Sequence, residues 1–242
     1  MVRADLLRGA GSPRGGLSRR PGRRFDVVTF DCYGTLIDWE AGIGDWLETA
    51  ASRAGVALDR RKALDLYGQI EPAVEAETYR SYRDVLAESA RRVALGLGWS
   101  LSEQDSRGLA SSLPDWKPFP DTNPALRKLT AAGYRLGILS NVDDDLLAGT
   151  RRHLDVAFDI LVTAEQVRSY KPAPGHFEEA RRQIGPLRWL HAAQSRFHDV
   201  VPCREIGIPV AWINRRAEPS RPDVLPDIEV RTLADLANRF AG

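Results

Sequence analysis

DVVTFDCYGTLI, residues 26–37, is the stretch from which the rest of the chain can be read. Asp26 to Phe30 is a short run of β-branched and apolar residues, Asp31 stands at its carboxyl end, and Gly34 supplies a turn. Such a run, bounded by turn signals, predicts a buried strand that delivers an acid at its tip.

Downstream the pattern changes. From about Trp39 to Ser112, segments such as IGDWLETAASRAG and YRDVLAESARRVALGLG have helical periodicity and no strand is evident. Residues 39–114 therefore read as a helical insertion. The punctuation LPDWKPFP precedes DTNPALRKLTAAG, a helix expected to stop at Gly133. Beyond it, the strand candidates YRLGILS, FDILVT, LRWLHAA and PVAWIN alternate with helices. These helices begin at the Asp143–Asp145 run, after KPAPG, at VVPCREIG and at LADLANRF. Acids at a helix start complement its dipole, which is the role expected of Asp143 to Asp145. Strands alternating with helices imply an α/β fold, a doubly wound parallel sheet covered on both faces. The core is then 25–38 and 115–242, and 39–114 is an inserted cap. Ligands of such sheets sit outside the carboxyl ends of the strands. Asp31, Ser140, Lys171 and Asp199 are the residues delivered there.

Composition narrows the function classes. The chain has 242 residues, 28% of them charged and 43% apolar, with a formal net charge of +1. A chain of this size buries a sizeable core, and so balanced a charge predicts neither disorder nor a field that would attract nucleic acid. No apolar run approaches the roughly 20 residues of a membrane-spanning helix, so no membrane partner is expected. Cys32 and Cys203 are isolated and define neither a disulfide framework nor a zinc site, which suits a reducing cytoplasm. Residues 1–24 are rich in Arg, Gly and Ser and are expected to be a disordered arm.

Four segments, FDCYGTLIDW, LGILSN, SYKPAPGHF and SRFHDVVPCREIG, resemble the ordered motifs of the haloacid dehalogenase-like superfamily, with the match running from Phe25 to Arg216. The resemblance implies a Rossmannoid sheet with a helical cap after the first motif. It also implies that Asp31 is a covalent nucleophile, a role its chemistry permits. A carboxylate can displace a leaving group and form an ester that water later cleaves. Thr35 and Asp199 complete the implied catalytic set with Lys171, whose ammonium neutralises Asp31 and the bound anion. Ser140 and Asn141 are expected to donate hydrogen bonds to a substrate carboxylate or phosphate.

Two positions separate the branches of the superfamily. The phosphatases it resembles carry a second Asp two residues after the nucleophile, where it protonates the leaving alkoxide; this chain has Tyr33. They also carry an acidic Mg²⁺ ligand about five residues before the second acid of the last motif, where this chain has Gln194 ahead of Asp199. A halide leaves as a weak base and needs no proton. The chain thus resembles the cofactor-independent 2-haloacid dehalogenases, acting on a small anionic substrate; the alternatives are a Mg²⁺-dependent phosphatase and an idle scaffold. Departures from the dehalogenase pattern are Gln194 and Arg196 in place of Ser and Asn, and Phe177 in place of Tyr. Arg80 and Arg83 are the candidates to cradle the halide, with Trp39 and Tyr67 as apolar walls. His191 and His198 read as structural histidines, and Cys32 as packing on the strand face opposite Asp31. Similar enzymes are dimers, and by analogy a homodimer is expected.

Overall fold

Val27, Val28, Thr29 and Phe30 are fully buried because their strand is hydrogen-bonded on both edges and covered on both faces. The computed structural model describes residues 23–219, 222 and 224–241. The expected amino-terminal arm lies outside them except for Arg23 and Arg24. In chain order the elements are β1 (Val27–Phe30), α1 (Trp39–Arg53), α2 (Arg60–Glu75), α3 (Tyr82–Gly96), α4 (Glu103–Ser106), α5 (Gly108–Ser112), α6 (Thr122–Ala131), β2 (Arg135–Ser140) and α7 (Asp144–Thr150). They continue with β3 (Ile160–Thr163), α8 (Ala164–Val167), α9 (Gly175–Ile184), β4 (Trp189–Ala193), α10 (Val201–Glu205), β5 (Val210–Ile213), β6 (Ile228–Val230) and α11 (Leu233–Ala241).

The six strands form one sheet in the order β3-β2-β1-β4-β5-β6, every pairing parallel. The chain runs outward from β1 to β3, then returns to the other side of β1 as β4. That reversal makes the carboxyl end of β1 the topological switch point, where parallel sheets open a crevice. Alternation along the strands sends Val28, Phe30, Leu136, Ile138, Leu190 and Ala192 into one core layer, with leucines of α6, α7 and α11. Val27, Leu139, Trp189, Val210 and Trp212 enter the other, against Phe177 and Ile184 of α9 and Cys203 of α10. This period of two, on a sheet covered twice, is the doubly wound architecture expected from the sequence.

The inserted helices begin where side chains cap them. Asp38 accepts from Ala41 N–H, Asp59 from Lys62 N–H and Ser81 from Asp84 N–H. The Asp143–Asp145 run does open α7, but the Asp143 carboxylate is turned away from that helix. It accepts instead from the Tyr82 and Arg83 N–H groups, at 2.8 and 3.0 Å, at the start of α3. A core acid thus satisfies the amino terminus of an inserted helix, and the Tyr170 hydroxyl donates to Arg80 O beside it at 2.9 Å. These bonds tie the inserted helices to the sheet's carboxyl end.

Three elements are absent from the sequence reading. Strand β6 and helix α8 are too short, at three and four residues, to carry a period. Arg196–Val200 is a π-helical turn leading into α10. Among the described residues no helix is long and apolar enough to cross a membrane.

Gly137 lies between β1 and β3 where a methyl group would come 2.8 Å from Ile160 Cβ and 3.0 Å from Thr29 Cγ2. Overpacked cores lose about 1–3 kcal/mol. Gly137→Ala is expected to lower the urea midpoint by a corresponding amount without changing the slope of the transition.

Candidate active site

The first residue past β1 is Asp31, and its N–H still donates to Ala192 O at 3.1 Å, so strand pairing holds the backbone up to the acid. Asp31 Oδ2 accepts from Thr35 Oγ1 at 2.9 Å, and Oδ1 accepts from Lys171 Nζ at 3.0 Å. Thr35 Oγ1 accepts the Gln194 N–H at 2.9 Å, which directs its own hydrogen toward Asp31. Lys171 is 1% exposed. Its ammonium also donates to Asp199 Oδ1 at 2.6 Å and to Leu139 O at 2.9 Å, so each of its three hydrogens has a protein acceptor. Lys171 therefore has no spare hydrogen to offer a ligand.

Asp199 is fully buried; Oδ1 also receives His191 Nε2 at 3.0 Å, while Oδ2 has no partner. Behind the histidine, Trp189 Nε1 donates to Thr29 Oγ1 at 2.7 Å, and Thr29 Oγ1 lies 2.8 Å from His191 Nδ1. A threonine hydroxyl that accepts from the indole has its hydrogen free for Nδ1, which leaves the His191 proton on Nε2, aimed at Asp199. The Phe177 ring meets His191 edge-on with centroids 5.6 Å apart. A tyrosine is not needed to hold that imidazole.

Charges in this network divide unequally. Burial works to lower the Lys171 pKa, but Asp199 and Asp31 outweigh it and hold it above the ordinary lysine value. Burial works to raise that of Asp199, but Lys171 and His191 outweigh it and hold it well below the carboxylate range. Asp31 goes the other way: burial raises its pKa, the charge of Asp199 adds to this, and Lys171 only partly opposes them. Lys171 and Asp199 form a tight buried ion pair, and Asp31 is the most exposed of the three, its side chain at 11%.

A cavity of about 1000 Å³ lies over Asp31, between the sheet's carboxyl end and helices α1 and α2. Tyr33, Trp39, Tyr67 and Trp116 are its aromatic walls; Trp39 and Tyr67 rings lie 5.8 Å apart, and Tyr33 meets Trp116 edge-on at 5.8 Å. Tyr33 Oη is hydrogen-bonded to Thr150 Oγ1 at 2.9 Å, and burial pushes its pKa well above the usual phenol value. Of the arginines lining the cavity, Arg60 is tied to Asp45 and Glu48, and Arg216 to Glu40. Arg61 also lines it and forms no ion pair among the described residues.

The wall formed by α2 is acidic. Glu71 and Glu75, one turn apart, face His198 of the π-helical turn, with His198 Nε2 3.3 Å from Glu75 Oε2. Asn141 Nδ2 donates to both Glu75 oxygens at 3.1 Å, and the Tyr82 hydroxyl donates to Glu71 Oε1 at 2.9 Å. Burial, followed by the charge of Glu75, pushes Glu71 up to about 8. Burial opposes protonation of His198, but its contact with Glu75 prevails and raises its pKa.

The structure brings Asp31, Thr35, Lys171 and Asp199 into one hydrogen-bonded group and places Tyr33, Trp39, Asn141 and Gln194 on the cavity wall. Asn141 is engaged with Glu75 and with the Lys171 backbone, whose N–H it accepts at 2.8 Å. Ser140 Oγ is buried without a partner and does not line the cavity, while its carbonyl accepts from His176 Nε2 at 3.0 Å. Arg80 and Arg83, expected at the halide, lie elsewhere, as does Arg196 of the last motif. Arg80 pairs with Glu77 just before α3 and Arg83 with Asp145 in its first turn, both facing outward. Arg196 donates to Val224 O at 2.7 Å and stacks over Trp212 at 4.7 Å, on the far side of the π-helical turn. Cys32 is in the core, where burial pushes its thiol pKa up. Glu71, Glu75, Arg61 and Trp116 were not singled out in the sequence. Acids spaced by four on a polar helix normally mark a solvated face, and only the packing of α2 over Asp31 turns them inward.

Residues 25–196 match the family described as haloacid dehalogenase-like hydrolase. The (S)-2-haloacid dehalogenase H-109 of Pseudomonas putida is 30% identical over 218 residues, covering 87% of this chain and 96% of that protein. A second (S)-2-haloacid dehalogenase of Pseudomonas putida is 29% identical over 217 residues, covering 87% and 94%. Among solved structures, the L-2-haloacid dehalogenase from Xanthobacter autotrophicus with chloropropionic acid covalently bound superposes with a TM-score of 0.79. It is 21% identical and covers 90% of this chain and 99% of that one, a likeness of fold.

Thr35 is fully buried and serves Asp31 and the Gln194 backbone at once. Thr35→Val keeps the shape but strands a buried N–H, for which about 1–3 kcal/mol of stability is expected to be lost. Thr35→Ser should restore most of it, as read from urea unfolding.

Proposed function

This chain belongs to the haloacid dehalogenase-like hydrolase family, and on that premise we propose that it hydrolyses the carbon–halogen bond of a small 2-haloacid through an ester formed on Asp31, with no cofactor in the chemical steps. The observation that carries the reading is a carboxylate on the cavity floor, Asp31, followed two residues on by Tyr33 and not by a second acid. Tyr33 occupies the position where a second acid would stand, and its hydroxyl is engaged with Thr150 and raised in pKa. A halide needs no proton, whereas an alkoxide departs poorly without one. The curated relatives named as (S)-2-haloacid dehalogenases support the same choice.

Asp31 attacks the halogen-bearing carbon, the new carbon–oxygen bond forms as the carbon–halogen bond breaks, and halide leaves with the bonding pair. Thr35 and Lys171 hold the two oxygens in a fixed orientation, so little reorganisation accompanies attack. Burial leaves the carboxylate poorly hydrated and therefore more nucleophilic. Water then adds to the ester carbonyl; one of its protons passes to the departing alkoxide oxygen, releasing the 2-hydroxyacid, the other goes to solvent, and the Asp31 carboxylate is regenerated. Asp199 Oδ2, buried and without a protein partner, is the acceptor available to orient that water. Once Asp31 is esterified, Lys171 is left with Asp199 as its only charged partner, and its charge can stabilise the oxyanion that forms on the ester.

Protein stripped with EDTA is expected to release halide from 2-chloropropionate or a haloacetate in an ion-selective assay. Absence of halide from a panel of such acids, with Mg²⁺-dependent release of phosphate from monoesters instead, would overturn the proposal. Asp31→Asn should reduce halide release by roughly 10³-fold or more. Since folding raises the Asp31 pKa, its ionised form is disfavoured in the fold at neutral pH, and Asp31→Asn should melt no lower than the parent.

The reactive species is the carboxylate, so kcat/KM falls as pH drops through the Asp31 pKa. The raised value places that acid limb above the usual aspartate range. After burial, the charge of Asp199 is the other cause of the rise, so Asp199→Asn should move the limb of the halide burst to lower pH.

A further inference from the structure

Glu71, Glu75 and His198 take no part in the chemistry above, and three features distinguish them from a solvated acidic patch. Their ligand atoms converge: one from each residue lies within 4.8 Å of the others. Zinc–oxygen and zinc–nitrogen distances of about 2.0–2.2 Å place neighbouring ligands about 3–4 Å apart, so small side-chain adjustments would close the triangle. The two acids are fixed on one face of α2, and the histidine comes from the core, so the three are held from two sides.

Each ligand candidate also has an outer partner that orients it. Tyr82 donates to Glu71, Asn141 donates to Glu75, and Ser195 Oγ lies 3.2 Å from His198 Nδ1. A proton held on Nδ1 toward Ser195 would leave the His198 Nε2 lone pair for an ion, in place of the proton that Glu75 favours there. Metal-binding histidines and carboxylates are ordinarily held in this way. Independently, Tyr67 is 2% exposed and lines the same cavity beside Glu71, and its hydroxyl, near that of Tyr82, makes no hydrogen bond of good geometry. Among the described residues neither Glu71 nor Glu75 pairs with a lysine or arginine.

We propose that Glu71, Glu75 and His198 form a binding site for a divalent transition-metal ion, for which zinc is the probe, in the α2 wall of the cavity, with the Tyr67 hydroxyl facing a water on the ion. A nitrogen and two carboxylate oxygens are the donor set such ions accept. The site is separate from Asp31 and Asp199, each of which gives its Oδ1 to Lys171. A dication there would take the place of the proton that burial favours on Glu71, and three protein ligands leave an open position toward the cavity. Neither cysteine contributes.

The test is calorimetric titration of ZnCl₂ into chelator-stripped, desalted full-length protein, with the visible spectrum of the Co²⁺ form as a second readout. One equivalent is expected to bind, with loss of at least about 100-fold in affinity in Glu75→Gln and His198→Gln. Tyr82→Phe, which removes only an outer partner, should weaken binding by about 10–100-fold. Asp31→Asn should bind zinc as the parent does. Circular dichroism of each variant separates lost ligation from lost folding. Failure of the parent to bind zinc would overturn the proposal, as would binding that survives in folded Glu75→Gln and His198→Gln, or that disappears in Asp31→Asn. None of these readouts depends on halide turnover.

Discussion

An ammonium group withdrawn from water between two carboxylates is the constraint on which this structure rests. Lys171 cannot stay charged at 1% exposure unless its three hydrogens are met, and they are met by Asp31, Asp199 and Leu139 O. Removing one member of the Lys171–Asp199 pair is expected to cost about 3–5 kcal/mol, because the other is left charged and unpaired. Three separate parts of the sheet are therefore obliged to meet at one nitrogen: the tip of β1, the end of β2, and the π-helical turn after β4. The same requirement that stabilises Lys171 orients Asp31, the proposed nucleophile.

That meeting point exists because of the strand order. Strand β1 is central, its neighbours β2 and β4 carry the chain to opposite halves of the sheet, and the loops after all three open on the same side. The helices inserted after β1 fold back over this opening and are gripped by Asp143, Tyr170 and Asn141. The core thus sets the nucleophile, and the insertion sets the size and charge of the space in front of it. One half of the site is a tightly bonded ionic network. The other is a cavity of aromatic rings with an acidic wall, where the chemistry of the substrate is discriminated.

Sequence reasoning reaches the first half much better than the second. Asp31, Thr35, Lys171 and Asp199 sit at strand ends or in ordered motifs, so a parallel α/β pattern alone directs attention to them, and the strands themselves carry period-two signals. Strand β6 and helix α8 are too short to do so. Asp143 looks like a cap for its own helix, and nothing local reveals that it serves the distant start of α3. On the cavity wall the signal is weaker still. Arg80 and Arg83 lie beside α3 but face solvent acids, whereas Arg61, Glu71 and Glu75 belong to a helix whose inward face is set by tertiary packing. Arg196 is misleading for a different reason, since the π-helical turn that buries Asp199 rotates its neighbour toward Trp212.

The proposed chemistry depends on Asp31 forming and then losing an ester, and its two oxygens would carry a direct record of that event. The decisive measurement is a single turnover in heavy-oxygen water with enzyme in excess over a 2-haloacid, followed by mass analysis of the peptide that contains Asp31 and of the released hydroxyacid. Attack by water on the ester carbonyl predicts the heavy atom in the Asp31 carboxylate and an unlabelled product. A labelled product hydroxyl with Asp31 unchanged would show that water displaces the halide directly, and would contradict a covalent role for the acid.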